Sequence, residues 1–106
     1  TFSHLNINID DHFADNRTIM HLRGTATFIR LQKLAASLET IRPNTELHIR
    51  MERLDYIDHA CLDLLMNWEK QHESTGGRLV IDWDHLTAKF HREESKEPSI
   101  ETLQSG

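Results

Sequence analysis

The sequence changes its hydrophobic period at Asp58-His59, and this change constrains the fold more than any other feature. Before it, residues 47–51 are apolar at every second position, which is the period of a strand with one buried face. After it, apolar residues recur at the spacing of a helix that buries one stripe. They are Cys61, Leu64, Leu65 and Trp68. Gly76-Gly77 then ends the helical pattern, and residues 78–83 resume an extended, apolar run.

We therefore predict a strand, a crossover helix and a second strand between Leu47 and Trp83. Two strands joined by a helix of about four turns cannot form a hairpin, so they must run parallel with a right-handed crossover. Asp58 is predicted to cap the helix, because its carboxylate can accept from backbone N–H groups that the first turn leaves unpaired. Residues 54–59 are interpreted as a loop at the carboxyl edge of the sheet, where open α/β sheets usually present functional groups.

The flanking sequence completes a small α/β domain. Residues 2–9 and 18–22 alternate as two strands that can pair antiparallel, with a polar connection over residues 10–16. Residues 24–27 break the extended run, and Thr25 or Thr27 can cap a first helix that ends before Pro43. Its buried stripe is Leu31, Leu34, Ala35, Leu38 and Ile41. With a short last helix over 84–90, the order is β-β-α-β-α-β-α, a mixed four-stranded sheet with helices packed against it.

Length and composition limit what the chain can be. Its 106 residues suffice for one domain, predicted over residues 1–92, followed by a charged, mobile tail over residues 93–106. No run approaches the roughly 18 apolar residues that span a bilayer, so we expect no membrane insertion. A net charge of −5 argues against nucleic acid as a partner. The single cysteine favours a reducing compartment, and the start at Thr1 indicates a piece of something longer.

Several chemical motifs are present only in fragments. The eight histidines lack the clustered spacing of a metal site, so neither a metal nor another cofactor is expected. Cys61 and His59 could form a nucleophile and a base, but helical side chains two positions apart point in different directions, so we predict a buried structural cysteine and no catalytic residue. Asp55, Asp58 and Asp63 do not form a convincing Mg²⁺ cluster, because Asp58 suits a cap and Asp63 a solvated face. His59 lies at the exposed edge, where it can serve contact or switching, or remain a solvated histidine without a role.

Three stretches together resemble the STAS domain. They are residues 22–28, residues 54–65 with the Tyr-Ile-Asp sequence between strand and helix, and residues 76–81. This family includes the cytoplasmic C-terminal domain of SulP-type sulfate and anion transporters and the bacterial anti-sigma factor antagonists, so the resemblance implies an anti-sigma factor antagonist-like fold. In the antagonists, a serine or threonine that a kinase phosphorylates follows the loop aspartate. Here that position is His59, which favours the transporter branch.

The resemblance implies a non-catalytic regulatory and interaction domain of a SulP-type anion permease, at the cytoplasmic face of the inner membrane. Its implied partner is the transmembrane domain of its own transporter or a cytosolic regulatory protein. The expected contact surface is the carboxyl edge, with Asp58, His59, Thr25 and Thr27. The alternative function is a free-standing anti-sigma factor antagonist, which would need a phosphoacceptor. A small enzyme, which rests on Cys61 and His59 alone, is the third possibility.

Overall fold

A four-stranded mixed sheet organises the computed structural model, which describes residues 4–82. The strands are β1 (Leu5–His12), β2 (Arg17–Ala26), β3 (Glu46–Ile57) and β4 (Arg78–Ile81), and they lie side by side in chain order. β1 pairs antiparallel with β2, whereas β2, β3 and β4 are mutually parallel. The predicted antiparallel pair and the predicted parallel pair around the central helix are therefore confirmed.

Two helices supply the rest of the core. α1 spans Leu31–Glu39 after a 3₁₀ turn at Phe28–Arg30, and α2 spans His59–Ser74 between β3 and β4. Leu34 and Leu38 of α1 and Cys61 and Leu65 of α2 are buried. They belong to one hydrophobic core with alternate residues of the sheet, which are Leu5, Met20, Leu22, Leu47, Ile49, Met51, Leu79 and Ile81. The alternation places both helices on one face of the sheet.

The end of α2 shows why the double glycine stops a helix. Gly76 has a φ of +92°, in the left-handed region that other residues adopt only with strain. Its N–H donates to the Glu73 carbonyl at 3.0 Å, and the Gly77 N–H donates to the His72 carbonyl at 3.1 Å. This pair of reversed hydrogen bonds is the Schellman motif, which satisfies the last carbonyls of the helix.

Several predicted boundaries differ from the structure, and strand pairing explains the largest difference. Residues 54–57, predicted as loop, belong to β3, where Tyr56 pairs with Thr25 and Ile57 pairs with Ala26. β2 likewise continues through Gly24 to Ala26, although a break in the extended run was predicted there. It does so with a φ of +101° at Gly24 and with shifts of register against β3. The paired residues lie about thirty positions apart in the sequence, so their pairing is not visible from neighbours along the chain.

The remaining differences are smaller. β1 begins at Leu5 and continues to His12, so the predicted polar connection shortens to a 3₁₀ turn at Phe13–Asp15. α1 ends at Glu39, and Ile41 is buried beyond its end. β4 ends at Ile81. The predicted last helix over 84–90 and the predicted tail over 93–106 lie outside the described residues.

Candidate functional site at the carboxyl edge

The candidate site lies where β2 and β3 end together. Ala26 and Ile57 are the last paired residues of the two parallel strands, so the segments that lead into α1 and α2 leave the sheet side by side. The Asp58 N–H donates to the Ala26 carbonyl at 3.0 Å and extends this pairing by one step. Parallel pairing therefore brings residues about thirty positions apart in the sequence to one edge.

The Asp58 carboxylate joins the two helix starts. Asp58 occupies the N-cap position of α2, and its Oδ1 accepts from the Cys61 N–H at 3.0 Å. Its Oδ2 accepts from the Phe28 N–H at 2.8 Å, at the first residue of the 3₁₀ turn that precedes α1. An anionic acceptor suits both places, because backbone N–H groups at a helix start lack partners within the helix. Asp58 thus holds the two segments in a fixed relation.

Three exposed side chains flank this junction: Phe28, Ile29 and His59, which we call the carboxyl-edge patch. The exposed fractions of Phe28 and Ile29 are 68% and 59%. His59 is exposed in the first turn of α2, directly after the capping aspartate. The patch combines an aromatic, an aliphatic and a titratable side chain on backbone that the Asp58 carboxylate fixes.

Thr25 and Thr27, the two threonines expected at this surface, are both partly buried. Thr25 belongs to β2, and both its N–H and its hydroxyl donate to the His4 carbonyl, at 2.8 and 3.3 Å. Thr27 occupies the N-cap position of the 3₁₀ turn, but its hydroxyl makes no capping hydrogen bond. The expectation that a threonine caps the first helix is therefore wrong. The Phe28 N–H finds its acceptor on Asp58, because parallel pairing places that carboxylate within reach.

Cys61 is a core residue with an inert thiol. Its exposed fraction is 0%, and burial, reinforced by the nearby Asp58 carboxylate, raises its pKa to about 12. A thiol with that pKa carries almost no thiolate at neutral pH, so it lacks the reactive form of a nucleophile. His59 is exposed, whereas Cys61 is fully buried.

Neither metal chemistry nor membrane crossing is visible in the described part of the chain. Between residues 4 and 82, no three His, Cys, Asp or Glu side chains are grouped so that they could hold a metal ion. Over the same residues, no helix combines the length and the apolar character needed to span a bilayer.

Two features of the molecule are absent from the sequence-based predictions. The exposure of Phe28 and Ile29 was not foreseen, although two consecutive bulky apolar residues before a helical stripe are the available signal. His72 was also missed. It is 5% exposed, stacks on Trp68 with ring centroids 4.4 Å apart, and places Nε2 2.7 Å from the Thr45 carbonyl. Its position one helical turn after Trp68 could have placed it on the buried stripe.

A family model described as "Mlab, STAS domain" matches residues 9–92, which is most of the chain. No curated protein matches. Solved structures share the fold, a mixed sheet of four strands with two helices. The anti-sigma factor antagonist STAS domain from Rhodobacter sphaeroides is 10% identical with a TM-score of 0.65, and the match covers 81% of this chain and 95% of that one.

Two further similar structures differ in how much of their own chain is matched. The phosphorylated Bacillus cell fate determinant SpoIIAA is 15% identical with a TM-score of 0.56, over 70% of this chain and 68% of that one. A structure described as Mglu is 18% identical with a TM-score of 0.60, over 71% of this chain. The match spans only 19% of the Mglu chain. At these identities the similarity establishes the fold.

Proposed function

The chain belongs to the STAS family, and on that premise we propose that it is a non-catalytic regulatory domain that binds another protein through the carboxyl-edge patch. STAS domains are regulatory folds that interact with proteins. The single observation that supports this surface is the exposure of Phe28 and Ile29, at 68% and 59%, beside the Asp58 junction.

The physical chemistry of the patch suits protein binding. Aromatic side chains at the centre of an interface carry much of the binding energy when a partner desolvates them. Because Asp58 fixes the backbone at Phe28 through the 2.8 Å hydrogen bond, little loop ordering has to accompany binding. His59 lies exposed at the rim of the patch. Asp58 itself acts as a positioning residue, since both of its oxygens accept backbone hydrogen bonds.

Our preferred cellular setting is a SulP-type anion transporter at the cytoplasmic face of the inner membrane, with the transporter's own membrane domain as the partner. The resemblance of residues 24–28 to the corresponding turn of transporter STAS domains supports this setting, as does His59 at the position of the antagonists' phosphoacceptor. A cytosolic regulatory protein is a second partner that the same patch could accommodate.

The alternative setting is a free-standing anti-sigma factor antagonist. It is favoured by the solved structures of similar fold, which include an antagonist from Rhodobacter sphaeroides. The encoding gene separates the two settings. Ten or more apolar spans upstream of Thr1 in the same reading frame would support the transporter, whereas a start codon near Thr1 would contradict it. Phosphate incorporated next to Asp58 by a kinase encoded beside the gene would also favour the antagonist.

The interaction surface is tested with two matched variants. Phe28→Ser removes the proposed anchor, and Phe13→Ser removes a phenylalanine of equal exposure, 70% against 68%, at the other end of β2. Binding of the full chain to the membrane domain encoded upstream, reconstituted in nanodiscs, is measured by biolayer interferometry. We expect Phe28→Ser to weaken binding by about 2 kcal/mol or more and Phe13→Ser to leave it unchanged.

Two results of this measurement would contradict the proposal. Equal losses in both variants would mean that neither edge is specific, and undiminished binding by Phe28→Ser would exclude the carboxyl-edge patch. Circular dichroism of each variant verifies that the fold is retained.

A further inference from the structure

The sheet face opposite the helices is mostly polar, and it carries arginine, histidine, aspartate and glutamate side chains. In the pairing register, Arg17, Ile19, His21 and Arg23 of β2 alternate with the buried Thr18, Met20 and Leu22, so they point away from the core. Their cross-strand neighbours on the same face are Asn6, Asn8, Asp10, His12, Glu46, His48, Arg50 and Arg53. Among the described residues, neither helix covers this face.

In the half of this face near the amino ends of the parallel strands, acidic side chains lie next to basic ones. Glu46 accepts from His48 Nε2 at 2.8 Å and lies 3.6 Å from an Arg78 nitrogen. The His48 hydrogen bond, together with the neighbouring positive charges, lowers the pKa of the Glu46 carboxyl. Asp10 lies 3.2 Å from His21 Nε2. Each acidic group here therefore has a basic neighbour.

In the half nearer the carboxyl ends, three arginines, Arg23, Arg50 and Arg53, lie with the acidic Glu52. Arg23 and Arg53 are direct cross-strand partners, and both are exposed. Within residues 4–82, neither guanidinium has a hydrogen-bond or ion-pair partner. Arg50, at the neighbouring position, reaches only Glu52, at 3.9 Å. Like charges placed directly opposite each other destabilise a sheet, so the fold holds two arginines together at a cost.

These arginines line an open hollow of about 840 Å³, together with Asn6, Asn8 and Lys33. Asp10 and Glu52 line it as well, so the lining includes four cationic and two acidic side chains. Guanidinium groups bind carboxylates in a two-pronged geometry, and the asparagine amides offer further donors beside them. The chain as a whole is acidic, with a net charge of −5. An extended polyanion such as nucleic acid would therefore be repelled beyond the hollow, whereas a short acidic peptide segment would fit within it.

We propose that Arg23, Arg50 and Arg53 form a second docking surface, on the open face of the sheet, for an acidic segment of a partner protein. This surface is separate from the carboxyl-edge patch and does not depend on the function proposed for that patch. The hollow is open to solvent, which suits the side chains of a protein segment better than a small anion that needs enclosure.

The test uses a fluorescent poly-glutamate peptide and the full chain at low ionic strength, because salt screens exposed charges. Fluorescence anisotropy measures affinity, and amide chemical shifts locate the binding site. We expect shifts at residues 21–23 and 50–53. The double variant Arg23→Gln with Arg53→Gln should bind the peptide about tenfold more weakly, or worse, after losing two charge-assisted contacts.

A matched double variant, Lys70→Gln with Arg78→Gln, removes the same net charge outside the hollow. It should keep the affinity, as should Phe28→Ser at the carboxyl-edge patch. Equal weakening by the two double variants would show a general charge effect and overturn the proposal. Shifts confined to the carboxyl-edge patch, or displacement of the peptide by an equal concentration of inorganic phosphate, would also overturn it.

The variants report on folding as well. Since Arg23→Gln with Arg53→Gln removes a like-charge pair, its urea midpoint should be equal to or higher than that of the unmodified chain. A lower midpoint would show that the two arginines serve the fold, and it would contradict their assignment to a ligand.

Discussion

Phe13 and Phe28 each begin a short 3₁₀ turn and are equally exposed, at 70% and 68%, yet they lie at opposite ends of β2 in different surroundings. The Phe13 ring lies under the Arg42 guanidinium, with the Arg42 Cζ 4.4 Å from the ring centroid. Arg42 in turn lies 3.6 Å from Asp11. Within residues 4–82, the Phe28 ring has no such cation or ring against it. Equal exposure therefore means an internal cation–π contact at one edge and an available aromatic face at the other.

The same two edges also differ in the polar group that holds them together. At the carboxyl edge, Asp58 connects the segment before α1 with the start of α2 and remains partly exposed. At the amino edge, His72 connects the end of α2 with the start of β3 through the Thr45 carbonyl, and it is buried. That carbonyl also accepts from the Arg78 N–H at 3.0 Å, so the amino edge joins three elements around one atom. The residue that connects the amino edge is buried, whereas the carboxyl edge leaves Phe28 and Ile29 exposed to solvent.

The largest effect is expected at the amino edge. His72→Ala should lower the free energy of unfolding by about 2 to 4 kcal/mol, because it leaves a cavity beside Trp68 and removes the hydrogen bond to Thr45. Since a carbonyl only accepts, Nε2 of His72 is the donor. Urea denaturation measures the loss, and His72→Gln should recover part of it by keeping a donor. A loss below about 0.5 kcal/mol would place His72 among ordinary surface residues and remove the distinction between the edges.

The second effect concerns the carboxyl edge. Asp58→Ala should cost about 2 kcal/mol, at the upper end of the range for a lost N-cap, because two backbone N–H groups lose an anionic acceptor. Asp58→Asn, which keeps one acceptor oxygen, should lose less. An unchanged urea midpoint for Asp58→Ala would show that water replaces the carboxylate at both positions.

The two phenylalanines should differ modestly in stability. Phe13→Ala should cost about 0.5 to 1 kcal/mol through loss of the cation–π contact with Arg42. Phe28→Ala should stay within about 0.5 kcal/mol of the unmodified chain, as expected of an exposed side chain without such a contact. If Phe28→Ala were the more destabilising of the two in thermal unfolding, Phe28 would be a structural residue and its place in the patch would be wrong.

The smallest effect is expected for the thiol beneath the carboxyl edge. Because the folded-state pKa of Cys61 is about 12 against an ordinary value of 9.0, the folded chain should not react measurably with a disulfide reagent between pH 7 and 8.5. Because the folded chain holds the thiol proton more tightly than the unfolded chain does, protonation of Cys61 contributes to the free energy of unfolding. That contribution is complete below pH 9 and declines as the pH rises toward 12, since the unfolded chain loses the proton first. Rapid labelling of the folded chain at pH 8 would contradict the buried, neutral thiol.

Much of the fold follows from local patterns in the sequence. The change of hydrophobic period at Asp58 predicts a strand followed by a helix, and Gly76-Gly77 predicts where that helix ends. The length of the connection then makes β3 and β4 parallel, because a four-turn helix cannot close a hairpin. These inferences needed only neighbours along the chain, and they are correct in the structure.

Tertiary structure alone decided the carboxyl edge. β3 continues to Ile57 because its last residues pair with Thr25 and Ala26, about thirty positions earlier, and no local pattern encodes that pairing. The same pairing brings the Asp58 carboxylate to the Phe28 N–H and leaves the Phe28 ring exposed. Hydrophobic period reports which face of an element is buried, whereas register between distant strands determines which side chains meet at its end. The sequence therefore determined the elements and their directions, and strand register determined what the edge presents.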